Sequence, residues 1–290
     1  MKPRMPEDLH RLSTRLLRDV SNMLGLEHGA PRPVLVNSIP KSGTNLLLNI
    51  VLAMPGTQYA GDLSLAAERD VPEDRLIFVK ERILDLRSGR VYTGHIPYAI
   101  EIAEWLCEQG IKQLFIYRDP RDYTVSLYHY VMREAQPRHA YYEMFSNLGS
   151  DSERLLGAIR GIGQGQTKYR LSPSSVPNVR LIYEAYMGWI TDKNTFALRY
   201  EDLVRGRAGQ RSNKAASTVM DILWYLGVIR DTHDITLVDN ILTEGMDPGK
   251  SHTFRRGGSG AWREEYTEQH IEAFRSVADD LLTELGYTWE

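Results

Sequence analysis

The stretch Val34-Leu-Val-Asn-Ser-Ile-Pro-Lys-Ser-Gly-Thr-Asn-Leu-Leu-Leu-Asn-Ile-Val51 joins a short apolar run, a turn and the start of an apolar helical segment. The turn, Pro40 to Thr44, carries a cation, two hydroxyls and a glycine. A helix N-terminus presents backbone N–H groups that have no partner within the helix, and Lys41 adds a positive charge beside them. The sequence therefore predicts a site for a phosphate-like anion at this junction of strand and helix.

The order of residues in this loop differs from the common phosphate-binding loop. The Walker A pattern has a glycine, four residues and then Gly-Lys-Ser/Thr, whereas here Gly43 comes after Lys41 and no glycine precedes Lys41 within reach. The order Pro-Lys-Ser-Gly-Thr resembles instead the 5′-phosphosulfate loop of sulfotransferases that use 3′-phosphoadenosine 5′-phosphosulfate (PAPS). One pentapeptide is a short match, so other segments have to supply independent motifs.

Length and charge set broad limits on the class of protein. At 290 residues the chain is long enough to bury the core of a large α/β domain, and its net charge of −3 gives no reason to expect non-specific nucleic-acid binding. Residues 1–26 are amphipathic and lack the apolar core of a signal peptide, and no run of about 20 apolar residues predicts a membrane span. We expect a cytoplasmic protein with one domain over residues 31–290, preceded by a helical extension over residues 1–30.

Segments with strand and helix character alternate along the chain, which is typical of an α/β fold with a parallel sheet and helices on both faces. Strands are predicted at Val34–Ser38, Leu76–Val79, Leu114–Tyr117 and Phe196–Arg199. Helices are predicted at Asn45–Leu52, Ile100–Glu108, Tyr123–Arg133, Arg180–Trp189, Ala215–Leu226 and Glu268–Leu285. Ligands of such folds bind beyond the carboxyl ends of the strands. The single cysteine, Cys107, falls in a helical segment and is predicted to be a small core residue.

A second strand-to-helix junction reads Leu114-Phe-Ile-Tyr-Arg-Asp-Pro-Arg-Asp-Tyr-Thr-Val-Ser126. Asp119 suits the N-cap position and Pro120 the first helical position. Arg118, where the strand ends, offers a planar fork of donors that fits a phosphate. Taken alone, the pattern is also compatible with an ion pair between Arg118 and an acid.

A third segment, Phe254-Arg-Arg-Gly-Gly-Ser-Gly-Ala-Trp262, places two cations before three glycines in four residues. This composition predicts a cationic loop with few conformational restrictions, although by itself it is also typical of a solvated loop. The three segments in this order, spread from about residue 34 to residue 270, resemble the PAPS-dependent sulfotransferases.

The resemblance implies a P-loop-like sulfotransferase fold, PAPS as co-substrate and 3′-phosphoadenosine 5′-phosphate (PAP) as product. No clustered acidic motif suggests a magnesium site, so we expect no metal. The resemblance assigns Lys41 to the bridging and leaving oxygens, and Ser126 to the 3′-phosphate and to the restraint of Lys41 before the acceptor arrives. The residues that it assigns to the nucleotide are Lys41, Ser42, Gly43, Thr44, Asn45, Arg118, Ser126, Tyr200, Arg255, Arg256 and Gly257.

A hydroxyl acceptor is a poor nucleophile until its proton is removed, and histidine is suited to remove it near neutral pH. His95, in Tyr92-Thr-Gly-His-Ile-Pro-Tyr98, matches the His-x-Pro of the family, and the resemblance makes it the catalytic base. His129, three residues after Ser126, is expected to pack near the site. The remaining six histidines are expected at the surface: His10, His28, His139, His233, His252 and His270.

The chain departs from the family pattern in two places. Asn45 stands where many cytosolic members have a tryptophan that stacks on adenine, and Glu268 replaces the valine of the family's dimerisation motif. A monomer and a homodimer therefore both stay open. The departures resemble bacterial sulfotransferases of natural-product biosynthesis more than animal detoxifying enzymes.

The acceptor is expected in the variable parts of the chain, residues 55–75, 96–105, 133–190 and 240–253. Aromatic residues with polar tips are frequent there and suit a small acceptor, although core packing explains most of them equally well: Tyr98, Tyr141, Tyr142, Tyr169, Tyr183, Tyr186 and Trp189. We expect a hydroxylated small metabolite, with N-sulfation of an amine or guanidinium alkaloid as an alternative. A P-loop kinase or NTPase and a non-catalytic nucleotide-binding module are the alternatives from other classes.

Overall fold

The computed structural model describes residues 30–68, 71–134, 137–163, 175–204, 213–229, 235–246 and 258–290. Its centre is a five-stranded sheet with the order β2-β3-β1-β4-β5. The strands are β1 (Val34–Ser38), β2 (Gln58–Asp62), β3 (Arg90–Gly94), β4 (Lys112–Tyr117) and β5 (Thr195–Arg199). Every neighbouring pair is parallel. The predicted fold class, a parallel sheet flanked by helices, is thereby confirmed.

Helices connect the strands and cover the sheet. In chain order they are α1 (Thr44–Leu52), α2 (Pro72–Arg82), α3 (Ile100–Glu108), α4 (Pro120–His129), α5 (Tyr142–Ser146), α6 (Asp151–Arg160), α7 (Val179–Glu184), α8 (Gly188–Thr191), α9 (Tyr200–Leu203), α10 (Asn213–Leu226), α11 (Ile235–Gly245), α12 (Trp262–Glu265) and α13 (Glu268–Glu284). A 3₁₀ turn spans Ser64–Glu68, and a π-helical turn, Tyr130–Glu134, extends α4. Within the described ranges, no helix is both long and apolar enough to cross a bilayer.

Alternation along the strands divides the core into two layers. Val34 and Val36 of β1 face one layer, which α1, α10 and α11 complete. Leu35 faces the other layer, which is built mainly from α2, α3, α4 and α13. Because β1 is buried on both faces, its sequence is a continuous apolar run until Asn37.

Most predicted elements are present, with shifts at their ends. The helix predicted at Ile100–Glu108 has those bounds, and the strand ends at Ser38, Tyr117 and Arg199 are correct. The last helix ends at Glu284 with Gly286 at φ 70°, and its backbone departs from helical geometry at Ala278. The helical extension predicted over residues 1–30 lies outside the described residues, except for Ala30.

The strand predicted at Leu76–Val79 is wrong, because these residues belong to helix α2. Pro72 opens this helix, Glu73 and Asp74 lie in its first turn, and Lys80 and Arg82 lie in its last turn. Those positions complement the helix dipole and favour a helix over a four-residue strand. On this side of β1 the sheet contains β3 and, beyond it, β2. Neither was among the predicted strands, and the sequence of β2, Gln-Tyr-Ala-Gly-Asp, has no apolar run.

Two helix predictions need correction. The helix predicted at Arg180–Trp189 is interrupted between α7 and α8, where Gly188 packs against the ring of Tyr98 so closely that a Cβ atom would lie 2.1 Å from it. The helix predicted at Tyr123–Arg133 begins at Pro120 and continues as the π-helical turn.

Three burial predictions need correction. His139, expected at the surface, is half-buried and packs against the ring of Tyr130. Cys107 is exposed, because it lies at the edge of the buried stripe of α3, which runs through Ile102, Ala103 and Leu106. His270 is buried, because its Nδ1 lies 2.9 Å from the hydroxyl of Thr267 in a capping box at the start of α13.

Candidate active site

Four neighbouring strands end at one edge of the sheet, and each is followed by a residue from the sequence motifs. Lys41 comes three residues after β1, His95 directly after β3, Arg118 directly after β4 and Tyr200 directly after β5. Because the strands are parallel, these residues share the carboxyl edge of the sheet, where the order of the strands reverses around β1. The site is therefore assembled from segments that are far apart in sequence.

The loop after β1 has the geometry of an anion-binding turn. The N–H of Ser42 donates to the carbonyl of Ile39 at 3.2 Å, and α1 begins after Gly43 without a side-chain cap. Lys41 has φ 64° and Gly43 has φ 103°, so two residues of this loop occupy the left-handed region. Ser42 is fully buried, and its hydroxyl has no hydrogen-bond partner among the described residues. A buried unsatisfied hydroxyl beside a helix N-terminus fits a phosphate-like anion.

Tyr200 links this loop to Arg118. A Cβ atom added to Gly43 would lie 2.5 Å from the Tyr200 ring, so the ring packs directly against the loop. The guanidinium of Arg118 lies 4.6 Å from the centroid of the same ring. The structure thus brings together the first and second predicted anion sites with Tyr200 between them.

Arg118 is held in place while part of its fork remains available. Its Nη2 donates to the carbonyl of Gly258 at 2.9 Å and lies 3.4 Å from a carboxylate oxygen of Asp122. Its Nε is buried and has no hydrogen-bond partner among the described residues. Both interpretations made from the sequence therefore apply: Arg118 forms an ion pair with Asp122, and its Nε–H is still suited to bind a phosphate.

Asp122 connects the start of α4 to the third motif. Its carboxylate accepts the N–H of Gly260 at 2.7 Å and the N–H of Trp262 at 3.0 Å. The end of the glycine-rich segment is thereby fixed beside Arg118. Arg255, Arg256 and Gly257 lie outside the described residues, so their assignment to the nucleotide stays a prediction.

His95 has a defined tautomer. Its Nδ1 lies 3.2 Å from the carbonyl oxygen of Ser38 and 3.0 Å from the hydroxyl of the same residue. A carbonyl oxygen only accepts hydrogen bonds, so the proton is assigned to Nδ1 and the lone pair to Nε2. The hydroxyl of Ser38 lies in turn 2.6 Å from that of Thr44, which links the imidazole to the first turn of α1.

The surroundings of His95 keep its imidazole neutral. Burial is the largest cause and lowers its pKa, and the positive charge of Lys41 acts in the same direction. The backbone hydrogen bond to Ser38 and the charge of Asp62 raise the pKa but do not outweigh burial. A neutral histidine with an unprotonated Nε2 can accept a proton at neutral pH.

The loop that carries His95 is fixed by Asn37, which was not predicted from the sequence, and by two aromatic residues that were predicted for the acceptor instead. The side chain of Asn37 exchanges two hydrogen bonds with the backbone of Ile96, at 2.8 and 3.0 Å. Trp189 donates to the Ile96 carbonyl at 2.7 Å, and Tyr186 donates to the His95 carbonyl at 3.1 Å. The sequence feature that could have pointed to these contacts is the polar pair Asn37-Ser38 at the end of the apolar strand β1.

The remaining predicted residues occupy α1 and α4. Asn45 is exposed in the first turn of α1, and Ser126 is half-buried in α4, one turn before Tyr130. The ammonium of Lys41 lies 3.6 Å from the centroid of the Tyr130 ring. His129 is buried, and its Nε2 lies 2.9 Å from Glu265, so it packs between α4 and α12.

Most of the predicted acceptor aromatics contribute to the core. Four are buried: Tyr141, Tyr183, Tyr186 and Trp189. Tyr98 and Tyr142 are half-buried, whereas Tyr169 lies outside the described residues. The hydroxyl of Tyr183 donates to the carbonyl of Arg118 at 2.7 Å, which is a structural role.

A comparison with protein families decides the identity of this fold. The family model for the sulfotransferase domain matches residues 31–210, which is more than half of the chain. The chain belongs to the sulfotransferase family. The resemblance inferred from the three motifs is thereby confirmed.

Curated relatives of this sulfotransferase include animal and plant enzymes. Sulfotransferase 2B1 of Mus musculus is 24% identical over 263 residues, which cover 84% of this chain and 69% of that protein. A flavonol sulfotransferase-like protein of Flaveria bidentis is 21% identical, over 88% of this chain and 83% of that protein.

Solved structures show the same fold. Mouse sulfotransferase SULT7A1, complexed with PAP, superposes with a TM-score of 0.56 at 16% identity, over 84% of this chain and 82% of that one. Retinol dehydratase, in complex with androsterone and the inactive cofactor PAP, gives 0.53 at 16% identity, over 86% of this chain and 80% of that one.

Proposed function

We propose that this sulfotransferase moves a sulfuryl group from PAPS to a hydroxyl of a small-molecule metabolite by in-line transfer. The observation that carries the proposal is the convergence of Lys41, His95 and Arg118 at one edge of the sheet. The loop after β1 supplies an anion-binding turn with Lys41, the residue after β3 is the neutral base His95, and the residue after β4 supplies the guanidinium of Arg118. The structures of related fold that contain PAP support the choice of nucleotide.

The loop after β1 is the proposed site of the 5′-phosphosulfate. Ser42 provides a buried hydroxyl without a partner among the described residues, and α1 provides backbone N–H groups. Lys41 stabilises the charge that develops on the leaving phosphate oxygen when the bond from sulfur to that oxygen breaks. PAPS supplies the sulfuryl group, and PAP carries away the electron pair of the broken bond. Within the described ranges no group of three or more His, Cys, Asp or Glu is arranged to hold a metal, and the proposal includes none.

His95 is the proposed general base. Its Nε2 takes the proton of the acceptor hydroxyl while Nδ1–H remains bonded to the carbonyl of Ser38. The acceptor oxygen then attacks sulfur from the side opposite to the leaving oxygen. A positioned base contributes about 10²- to 10⁴-fold to such a step.

Arg118 is the proposed partner of the 3′-phosphate, because its buried Nε still offers a donor. Ser126, Arg255, Arg256 and Gly257 complete this end of the nucleotide in the proposal. Asn45 and Tyr200 are assigned to the nucleotide as well, and Tyr200 supports it indirectly by packing on the loop at Gly43. Ser126 also keeps its proposed role of restraining Lys41.

The acceptor class, a role in natural-product biosynthesis, a cytoplasmic location and the choice between monomer and homodimer stay predictions. An alcohol or phenol is the first acceptor class and an amine or guanidinium the second, since one arrangement of Lys41 and His95 serves both. Because the chain belongs to the sulfotransferase family, the alternative of a P-loop kinase or NTPase is dropped.

The test is transfer of ³⁵S-sulfate from labelled PAPS to panels of alcohols, phenols and amines by the full chain. The expected result is a labelled product that depends on His95 and forms without added metal. His95→Gln should abolish transfer and leave PAP binding, measured by calorimetry, within about twofold of the unaltered protein. Transfer to none of the panels, together with no binding of PAP, would refute the proposal. His129→Gln is the matched control, since His129 packs against Glu265 outside the proposed reaction.

A further inference from the structure

Tyr130 lies directly beneath the ammonium of Lys41. The nitrogen is 3.6 Å from the ring centroid, which is contact distance for a cation on an aromatic face. Tyr130 is the first residue of the π-helical turn that follows α4. The helix that starts beside Arg118 therefore ends at the ring under Lys41.

The position of this ring is fixed from two sides. A π-helical turn is wider than an α-helical one and changes the direction in which its residues point, and such turns are frequent at functional sites. His139 packs edge-on against Tyr130, with ring centroids 5.7 Å apart and an interplanar angle of 90°. The Nδ1 of His139 accepts the N–H of Tyr141 at 3.1 Å, and Tyr141 is buried. The ring thus packs against an imidazole that is itself tied to the backbone of a buried residue, Tyr141.

The ring attracts the ammonium without neutralising it. An aromatic face carries partial negative charge, so it orients a cation without placing a formal negative charge beside it. A carboxylate in the same place would cancel the charge and compete with the incoming anion. Burial is the main cause that lowers the pKa of His95 and of His139, and the charge of Lys41 lowers both further, which agrees with an ammonium near both imidazoles.

We propose that Tyr130 is a positioning residue for sulfuryl transfer, whose ring face holds the ammonium of Lys41 where the leaving phosphate of the nucleotide is bound. This inference rests on the proposed function, because it requires that Lys41 contacts the nucleotide. The hydroxyl of Tyr130 has no part in it. The ring is needed, and another apolar side chain of similar size cannot replace it.

Two variants separate the ring face from simple packing. Tyr130→Phe keeps the ring, and Tyr130→Leu keeps apolar volume but removes the aromatic face. In the unaltered protein labelled with ¹³C-lysine, the ε-methylene signal of Lys41 should lie upfield of other lysine signals because of the ring current. Lys41→Met assigns this signal by removing it. The upfield shift should persist in Tyr130→Phe and disappear in Tyr130→Leu, and an unshifted Lys41 signal in the unaltered protein would overturn the inference.

PAP binding, measured by calorimetry on the same proteins, tests the consequence for the nucleotide. Loss of a cation–π contact corresponds to a factor of roughly 2 to 30, so Tyr130→Leu should bind PAP that much more weakly and should lose kcat for sulfate transfer by a similar factor. Tyr130→Phe should stay within about twofold for both. All variants should unfold at the same urea concentration.

The outcomes distinguish the inference from the proposed function. No PAP binding by the unaltered protein would refute the proposed function, and this inference with it. Equal PAP affinity in Tyr130→Leu and the unaltered protein would overturn the positioning role alone. Equal losses in Tyr130→Leu and Tyr130→Phe would overturn it too, because they would trace the effect to the hydroxyl.

Discussion

Replacing Arg118 should weaken the binding of PAP while leaving the binding of AMP, which lacks the 3′-phosphate, nearly unchanged. Arg118 is suited to this test because its side chain is 12% exposed and its fork is already partly engaged. Nη2 donates to Gly258, whereas Nε has no partner among the described residues. A bound 3′-phosphate would take the Nε–H in a charge-assisted hydrogen bond.

The magnitude follows from that one available donor. A hydrogen bond to a charged group contributes about 1.5–3 kcal/mol, and we take about 2–3 kcal/mol because the phosphate and the guanidinium are both charged. Arg118→Met should therefore raise the dissociation constant of PAP roughly 30- to 150-fold. Arg118→Lys keeps the charge beside Asp122 but loses the planar fork, so an intermediate loss is expected.

The assay is calorimetric titration of each protein with PAP and with AMP, accompanied by urea unfolding. Arg118→Met leaves the carboxylate of Asp122 buried without its cation, so some loss of unfolding free energy is expected. Because PAP and AMP are titrated into the same variant, a general loss of stability affects both dissociation constants and cancels in their ratio. If Arg118→Met weakens PAP and AMP by the same factor, Arg118 does not bind the 3′-phosphate and the reasoning is refuted.

Three further predictions concern the base and the glycines. The acidic limb of the pH profile of kcat/KM should lie below pH 6.5, which is the ordinary pKa of histidine. The reason is that the lowered pKa of His95 keeps its imidazole neutral and active at more acidic pH. An acidic limb above pH 6.5 would contradict this. Gly43→Ala should weaken PAP binding by about 1–3 kcal/mol in calorimetry, since the φ of Gly43 is 103° and a Cβ atom would lie 2.5 Å from Tyr200. Gly227→Ala is the control and should leave PAP binding unchanged, because Gly227 has φ 71° but no atom within 4 Å of an added Cβ. Gly188→Ala should lower the unfolding free energy in urea by about 1–3 kcal/mol, since a Cβ would lie 2.1 Å from an aromatic ring; an unchanged midpoint would show that the helix break tolerates a side chain.

Elements with strong local patterns could be predicted from the sequence. The bounds of α3, Ile100–Glu108, were predicted correctly because its apolar residues lie within one or two turns of each other. The same short window did not reveal that Cys107 is exposed or that His270 is buried in a capping box. The edge strand β2 was missed because it is largely exposed and pairs with β3 alone among the described strands. The run Leu76–Val79 was assigned to a strand because four apolar residues are ambiguous until the charges around them are considered.

The contacts within the site could be predicted less completely. The sequence named Lys41, His95 and Arg118, because each stands in a motif with recognisable neighbours. It did not name Asn37 or Ser38 as site residues, although they position the loop of His95 from 59 and 57 positions away in the sequence. Hydrogen bonds of that range depend on how β1 and β3 pair, and no local pattern specifies such a pairing.

The sequence by itself determined the family and the chemistry of each loop, since Pro-Lys-Ser-Gly-Thr, the arginine of the second junction and the histidine before Ile-Pro are local patterns. The tertiary structure decided which of these groups meet, which nitrogen of His95 carries the proton and what lies under Lys41. The physical reason is that short-range spacing shapes turns and helix ends, whereas the packing of parallel strands side by side brings their carboxyl ends to one edge.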